Sequence, residues 1–141
     1  MRVVLHAPDR VHHLLIAMAA DASDLDLIIE FVATAEQLPA VVDAAVESRW
    51  PPDAVMVISE GDAGPLDAVA SIDRSRGWSA PIVVASTRTS DAERLCAYAA
   101  GADWYQEMPS RFSQLVELIE FLVVKAAIDL VDEVETYLLA N

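Results

Sequence analysis

Short apolar runs alternate along the chain with longer segments whose apolar residues recur every three or four positions. The runs lie at residues 3–5, 27–33, 54–58, 82–85 and 102–106. They predict strands, because a strand that is covered on both faces does not need alternating polar residues. The segments between them predict helices with one apolar face. Five strands that alternate with five helices predict an α/β fold with a parallel sheet and helices on both faces.

Residues 81–109, PIVVASTRTSDAERLCAYAAGADWYQEMP, predict one complete strand, helix and strand unit. Ser90 and Glu93 form a capping box, in which the Glu93 side chain is expected to return to the Ser90 amide. Gly101 is expected to end this helix. The predicted apolar face of the helix consists of Leu95, Cys96 and Ala99. Since Cys96 is the one cysteine, no internal disulfide is possible, and we expect its thiol to be buried.

The order PIVVAST and then AYAAGADWYQEMP resembles the receiver domain of bacterial two-component response regulators. That family typically has P-[VI]-hydrophobic-hydrophobic-[ST]-A, followed by A-x-x-A-G-A-x-x-[YF]-x-x-K-P. PDAVMVIS, at residues 52–59, resembles its third strand. The resemblance covers residues 1–124 and implies a flavodoxin-like, receiver-type fold with a five-stranded parallel sheet. Residues 125–141 are then an extension of the last helix and a predicted assembly element.

The resemblance also implies where a phosphoryl-transfer site would lie. In the family, an acidic pair after the first strand binds Mg²⁺, an aspartate at the end of the third strand accepts the phosphoryl group, and a lysine ends the fifth. The matching positions here are Ala7 and Pro8, then Ile58, then Met108, with Asp9 the nearest carboxylate to the first pair. Because phosphoryl transfer needs these charges together, the resemblance implies a pseudo-receiver that is not an enzyme and has no metal or cofactor.

Two further positions match the family's switch residues, namely Ser86 at the end of the fourth strand and Tyr105 in the fifth. They predict either a two-position switch that a protein partner drives or ordinary strand-end and core residues. One alternative function is a receiver whose acceptor is displaced to Ser59 or Asp62 and still takes part in phosphorelay. Another is a small-ligand sensor that uses the strand-end pocket, which would be lined by Ala7, Ile58, Ser86 and Met108.

The last helix has no Gly or Pro after Pro109, so it can run to the end of the chain. Its domain core is predicted to consist of Phe112, Leu115, Ile119 and Leu122. A second apolar stripe consists of Ala127, Leu130, Val131, Val134, Tyr137 and Leu138. This stripe predicts a homodimer interface. It can also receive a helix of another protein, fold back on its own domain or lead to an output domain.

The first helix is predicted to pack on the sheet through Val11, Leu14, Leu15 and Met18. Near it, His6, His12 and His13 are expected to be solvated or helix-face residues, because no Cys or carboxylate set suggests a tetrahedral metal site.

Charge and hydropathy narrow the set of partners. The formal net charge of −14 makes direct nucleic-acid binding unfavourable, since phosphate backbones would be repelled. No apolar run reaches the roughly 18 residues of a membrane span, and the N-terminus has no signal-peptide pattern. We therefore expect a cytoplasmic protein that binds other proteins and not membranes.

Overall fold

The computed structural model describes residues 1–74, 78 and 80–140, and describes side chains within those ranges as far as residue 127. Its strands are β1 (Arg2–His6), β2 (Ile28–Val32), β3 (Ala54–Ser59), β4 (Ile82–Ser86) and β5 (Trp104–Glu107). Its helices are α1 (Arg10–Ala22), α2 (Leu38–Glu47), α3 (Gly64–Ala70), α4 (Asp91–Ala100) and α5 (Phe112–Ala140). A 3₁₀ turn at Ala35–Gln37 leads into α2.

The five strands form one parallel sheet in the order β2-β1-β3-β4-β5. This order confirms the predicted flavodoxin-like, receiver-type sheet. The strand order reverses between β1 and β3, so the chain leaves their carboxyl ends in opposite directions and a crevice is expected there. Ser59 and Ser86 end β3 and β4 and are register partners.

Each face of the sheet carries its own apolar core. Helices α1 and α5 cover one face, where Ile16 and Ile119 pack with Met56 and Ile58 of β3. Helices α2, α3 and α4 cover the other face, where the intervening β3 residues Val55 and Val57 are buried. All six residues of β3 are buried, because it is the middle strand and is covered on both sides.

The predicted inner face of α1 is wrong. Val11, Leu14, Leu15 and Met18 are all exposed, and the helix instead buries Ile16, Ala19 and Ala20. The sequence of α1 is apolar at every position from Leu14 to Ala20, so its periodicity does not select one face. Small alanines on the inner face bring the helix close to the sheet, and the larger side chains are left in solvent.

The predicted inner face of α4 is also wrong, although its ends are as expected. Leu95 and Cys96 are exposed, while Glu93 and Ala97 are buried. Gly101 ends the helix in the left-handed conformation, with φ of 111°, which confirms its predicted role. Helix α4 is therefore rotated so that a carboxylate, and not the thiol, points into the domain.

Helix α5 buries Leu115, Ile119 and Leu122 as predicted, but Phe112 is 44% exposed and is not part of the core. The helix continues without a break to Ala140. Ala127 is exposed, and the side chains of the other predicted interface residues, Leu130, Val131, Val134, Tyr137 and Leu138, lie outside the described residues.

Within the described part of the chain, no helix combines the length and the apolar character needed to cross a bilayer.

Candidate functional site

The carboxyl ends of β1 and β3 carry apolar side chains at the positions matched to the acidic pair and the acceptor. Ala7 and Ile58 are completely buried in the core beneath α1 and α5, and Met108 packs against the same cluster. Pro8 is exposed and lies before Asp9, the N-cap residue of α1. These four side chains have neither the charge nor the oxygen atoms that a Mg²⁺-assisted phosphoryl transfer requires.

This packing corrects the prediction of an open strand-end pocket. Ala7, Ile58 and Ser86 have no exposed surface, so a ligand would reach only Met108 unless the strand ends rearranged. Met108 instead borders a cavity of about 410 Å³ between the end of β5 and α5, whose lining also includes Gln106, Glu107 and Phe121.

The buried polar groups of the site converge on Glu93. The Ser59 hydroxyl donates to Glu93 Oε2 at 3.0 Å, and the Tyr105 hydroxyl donates to Oε1 at 2.5 Å. Glu93 is only 8% exposed, and Ser59 and Tyr105 are buried as well. One carboxylate on α4 therefore joins the end of β3 to the middle of β5. Hydrogen bonds to a carboxylate are the stronger kind, particularly away from water.

The same network corrects half of the predicted capping box. The Ser90 side chain accepts from the Glu93 amide at 3.0 Å, as predicted. The Glu93 carboxylate does not return to the Ser90 amide, which donates instead to the Tyr105 hydroxyl at 3.4 Å. The Tyr105 amide is bonded in turn to the Tyr98 hydroxyl at 3.2 Å. Tyr105 is thus held at both its side chain and its backbone by residues of α4 and the turn before it.

Burial, together with the hydrogen bond to Glu93, raises the pKa of the Tyr105 hydroxyl above its usual value. The phenol therefore stays protonated near neutral pH and serves as the donor to the carboxylate. Tyr105 and Ser86 were the predicted switch positions, and both side chains are buried. The Ser86 hydroxyl, at the last position of β4, accepts from the Arg88 amide of the following turn at 3.1 Å.

Sequence reasoning missed Glu93 as a buried residue because the capping box already explained a glutamate at that position. A usable signal was present, since Glu93, Ala97 and Ala100 share one helical face. That face contains the small residues that allow α4 to approach the sheet. The face with Leu95 and Cys96 was chosen because it is more apolar.

A second polar group lies at the outer rim of the strand ends. Asp9, His12 and Glu60 each place a possible ligand atom within 4.8 Å of the others. The histidine therefore does have carboxylates near it, contrary to expectation. Asp9 also caps α1, where its Oδ1 accepts from the His12 amide at 2.9 Å and lies 2.8 Å from His12 Nδ1. These His12 groups hold the pKa of the Asp9 carboxyl below its usual value.

The other two histidines also have partners within the domain, and the expectation that His6 is a solvated or helix-face residue is wrong, because it ends the buried strand β1. His6 is buried, and its Nδ1 lies 2.9 Å from the Val32 carbonyl oxygen on the neighbouring strand. His13 stacks on Phe31 with ring centroids 4.4 Å apart.

The two candidate displaced acceptors differ in access. Ser59 has no exposed surface, and its hydroxyl is bonded to Glu93 and to the Gly61 amide. Asp62 is exposed, and with Glu60 and Arg88 it lines an open cavity of about 360 Å³. Of the two, only Asp62 can meet a phosphodonor without a rearrangement of the core.

Solved structures of response regulators share this arrangement of strands and helices. A response regulator in red light signalling of R. palustris has a TM-score of 0.69 and 20% identity, over 86% of this chain and 91% of that chain. An orphan response regulator of H. pylori has a TM-score of 0.63 and 24% identity, over 86% and 95% of the two chains. The phosphorylated cyanobacterial phytochrome response regulator has a TM-score of 0.69 and 18% identity, over 86% and 89%.

The chain therefore has the fold of a response-regulator receiver domain. At these identities the similarity defines the fold, and the chemistry has to be argued from the residues of this chain. No protein-family model matches the sequence, and no curated protein sequence does so.

Proposed function

We propose that this chain is a cytoplasmic signalling module that binds other proteins without being phosphorylated. The observation that carries the proposal is the buried contact between Glu93 and Tyr105. In a receiver, as the resemblance implies, phosphorylation sets the position of the switch aromatic. Here a carboxylate of the chain itself bonds that residue inside the domain, so no phosphoryl group is needed to keep it there.

The composition of the strand ends supports the same proposal. Ala7 and Ile58 are fully buried among apolar residues, and neither they nor Met108 provides the cation that a phosphoryl group attached there would need. The Ser59 hydroxyl is already committed to Glu93. The function then depends on the surface of the domain. A chain with a net charge of −14 is suited to bind proteins that present basic or apolar surfaces.

A displaced-acceptor receiver is the second candidate, and one specific arrangement favours it. Asp62 is exposed beside Arg88, and Asp9, His12 and Glu60 converge on the rim of the same strand ends. An acceptor carboxylate, a cation and possible metal ligands are the groups that phosphoryl transfer uses.

One experiment separates the two candidates. The full chain is incubated with an acyl phosphate and Mg²⁺, and its intact mass is measured beside that of Asp62→Asn. The exposed Asp67 on α3 provides the matched control Asp67→Asn. We expect no phosphoryl adduct on any of the three chains. An adduct on the wild type and on Asp67→Asn that is absent from Asp62→Asn would overturn the proposal and establish the displaced acceptor.

We also propose that the chain forms a homodimer through the second stripe of its last helix. The support is the continuity of α5 to Ala140, which carries the helix beyond the core contacts of Leu122. An isolated helical extension of this length is marginal in water, so a partner for its apolar stripe would stabilise it.

The dimer is tested on the full chain by sedimentation equilibrium with Leu130→Glu and Val134→Glu. The matched control is Asp129→Lys, which changes a charge in the same segment at a position outside the predicted apolar stripe. We expect the two glutamate variants to weaken association at least tenfold and the control to change it little. Equal association constants for all four chains would refute this interface, and the alternatives of a heterologous helix or internal packing would take its place.

A further inference from the structure

The outward face of α1 is an apolar strip. Val11, Leu14, Leu15 and Met18 are 63%, 58%, 37% and 57% exposed, although they were expected to form the core. Together they present roughly 400 Å² of side-chain surface, which is within the range of the largest patches on monomeric proteins. Such a strip on a rigid helix, packed beside α5, is suited to an apposed helix.

The two ends of this face carry opposite charges. Arg10 is the first residue of α1 and Asp21 is next to its last, and both are exposed. They are about three helical turns apart, so they lie on the same edge of the strip. Asp24, just beyond the helix, adds negative charge at the Asp21 end. Asp9 lies beside Arg10, but its carboxylate is engaged by His12.

We propose that α1 pairs with α1 of a second copy of this chain, antiparallel and about a twofold axis near Leu15. In that arrangement Arg10 of each copy lies at the height of Asp21 of the other, and on the same edge of the contact. A parallel twofold pair would instead place Arg10 level with Arg10 and Asp21 level with Asp21, on opposite edges of the contact, so that neither charge meets an opposite charge. The charges therefore select the antiparallel pair, and a twofold contact uses each complementary pair twice.

The area is adequate for a reversible contact. Two copies of the strip bury roughly 800 Å² of apolar surface, and the flanking charged and small residues bring the total toward the roughly 1,200 Å² at the lower end of specific interfaces. This contact goes beyond the proposed function and does not depend on it, because it uses α1, whereas the proposed dimer uses the stripe of residues 127–138 on α5. If both contacts form, they link copies into assemblies larger than dimers.

The test is a charge exchange on the full chain, followed by sedimentation equilibrium at low salt. Arg10→Glu and Asp21→Arg each place two like-charge pairs in the contact, and each is expected to weaken association about tenfold. The double variant restores opposite charges and is expected to return association close to the wild-type value. Leu14→Glu places a charge inside the strip and is expected to abolish this association step.

Because Arg10, Leu14 and Asp21 are exposed, we expect all of these variants to fold, and circular dichroism of each variant checks this. The matched control is Asp67→Arg on α3, an exposed position on the opposite face of the sheet. The inference is overturned if the double variant remains as weak as the single variants, if Leu14→Glu associates like the wild type, or if the wild type shows no association that depends on α1. If Leu130→Glu loses association while all of the α1 variants keep it, the α1 contact is refuted and the interface on the last helix is supported.

Discussion

Removal of the Glu93 carboxylate should destabilise this domain strongly. Replacement by alanine leaves the buried Ser59 and Tyr105 hydroxyls without their acceptor. Each buried hydroxyl that loses its partner costs about 1–3 kcal/mol, so the two together predict a loss of about 2–6 kcal/mol. Since domains of this size are stable by about 5–15 kcal/mol, Glu93→Ala should lose a large fraction of the free energy of unfolding.

Glu93→Gln is the matched variant because it keeps the shape and one carbonyl acceptor. We expect it to cost about 1–2 kcal/mol, which is less than the alanine variant. Arg94→Ala on the exposed side of α4 is the control, since its ion pair with Asp91 is long and solvated and contributes about 0.5 kcal/mol or less.

The assay is urea unfolding followed by circular dichroism, with the free energy extrapolated at a common slope. The expected order of destabilisation is Glu93→Ala, then Glu93→Gln, then Arg94→Ala. If Glu93→Ala unfolds within about 0.5 kcal/mol of the wild type, the network does not hold α4 against the sheet. The proposal that it sets the position of Tyr105 would then fail with it.

Three further predictions concern other parts of the site and its helix. Because the pKa of Tyr105 is raised in the folded protein, the unfolded chain releases the phenol proton at a lower pH than the folded chain. The free energy of unfolding should therefore decrease as the pH rises above about 10, the usual pKa of tyrosine. Tyr105→Phe should flatten this fall in urea titrations, and an unchanged slope would contradict the reasoning. Gly101→Ala should cost about 1 kcal/mol of stability, because the backbone at this position is left-handed. Gly61→Ala should cost more, because its added Cβ would also lie 3.3 Å from Arg88 Cβ. Equal thermal midpoints for the two variants would contradict this prediction. Cys96 is exposed, so a thiol reagent should label it at similar rates in native and urea-unfolded protein, and strong protection in the native state would contradict the observed rotation of α4.

The strands and their order of connection could be predicted from the sequence because their signals are local. Continuous apolar runs such as that of β3 are needed only where both faces are covered. Gly101 was identified correctly for a similarly local reason, since a left-handed helix end favours a residue without a side chain. The absence of charge at Ala7, Ile58 and Met108 could likewise be read directly from the residue types.

The inward faces of α1 and α4 were decided only by the tertiary structure. In both helices apolar residues occur on more than one face, and small alanines, not the larger Leu14 or Leu95, were selected for the sheet. Close approach of helix to sheet favours the face with the least side-chain volume, which periodicity does not measure.

The polar centre of the site depended on this rotation. Glu93, Ser59 and Tyr105 lie far apart in the sequence. Only the packing of α4 against the end of β3 and the middle of β5 brings them within hydrogen-bonding distance. Local sequence determined that Glu93 would stand in the first turn of a helix. The assembled fold determined that its carboxylate would be buried, because two hydroxyl donors were available there to compensate for the loss of water.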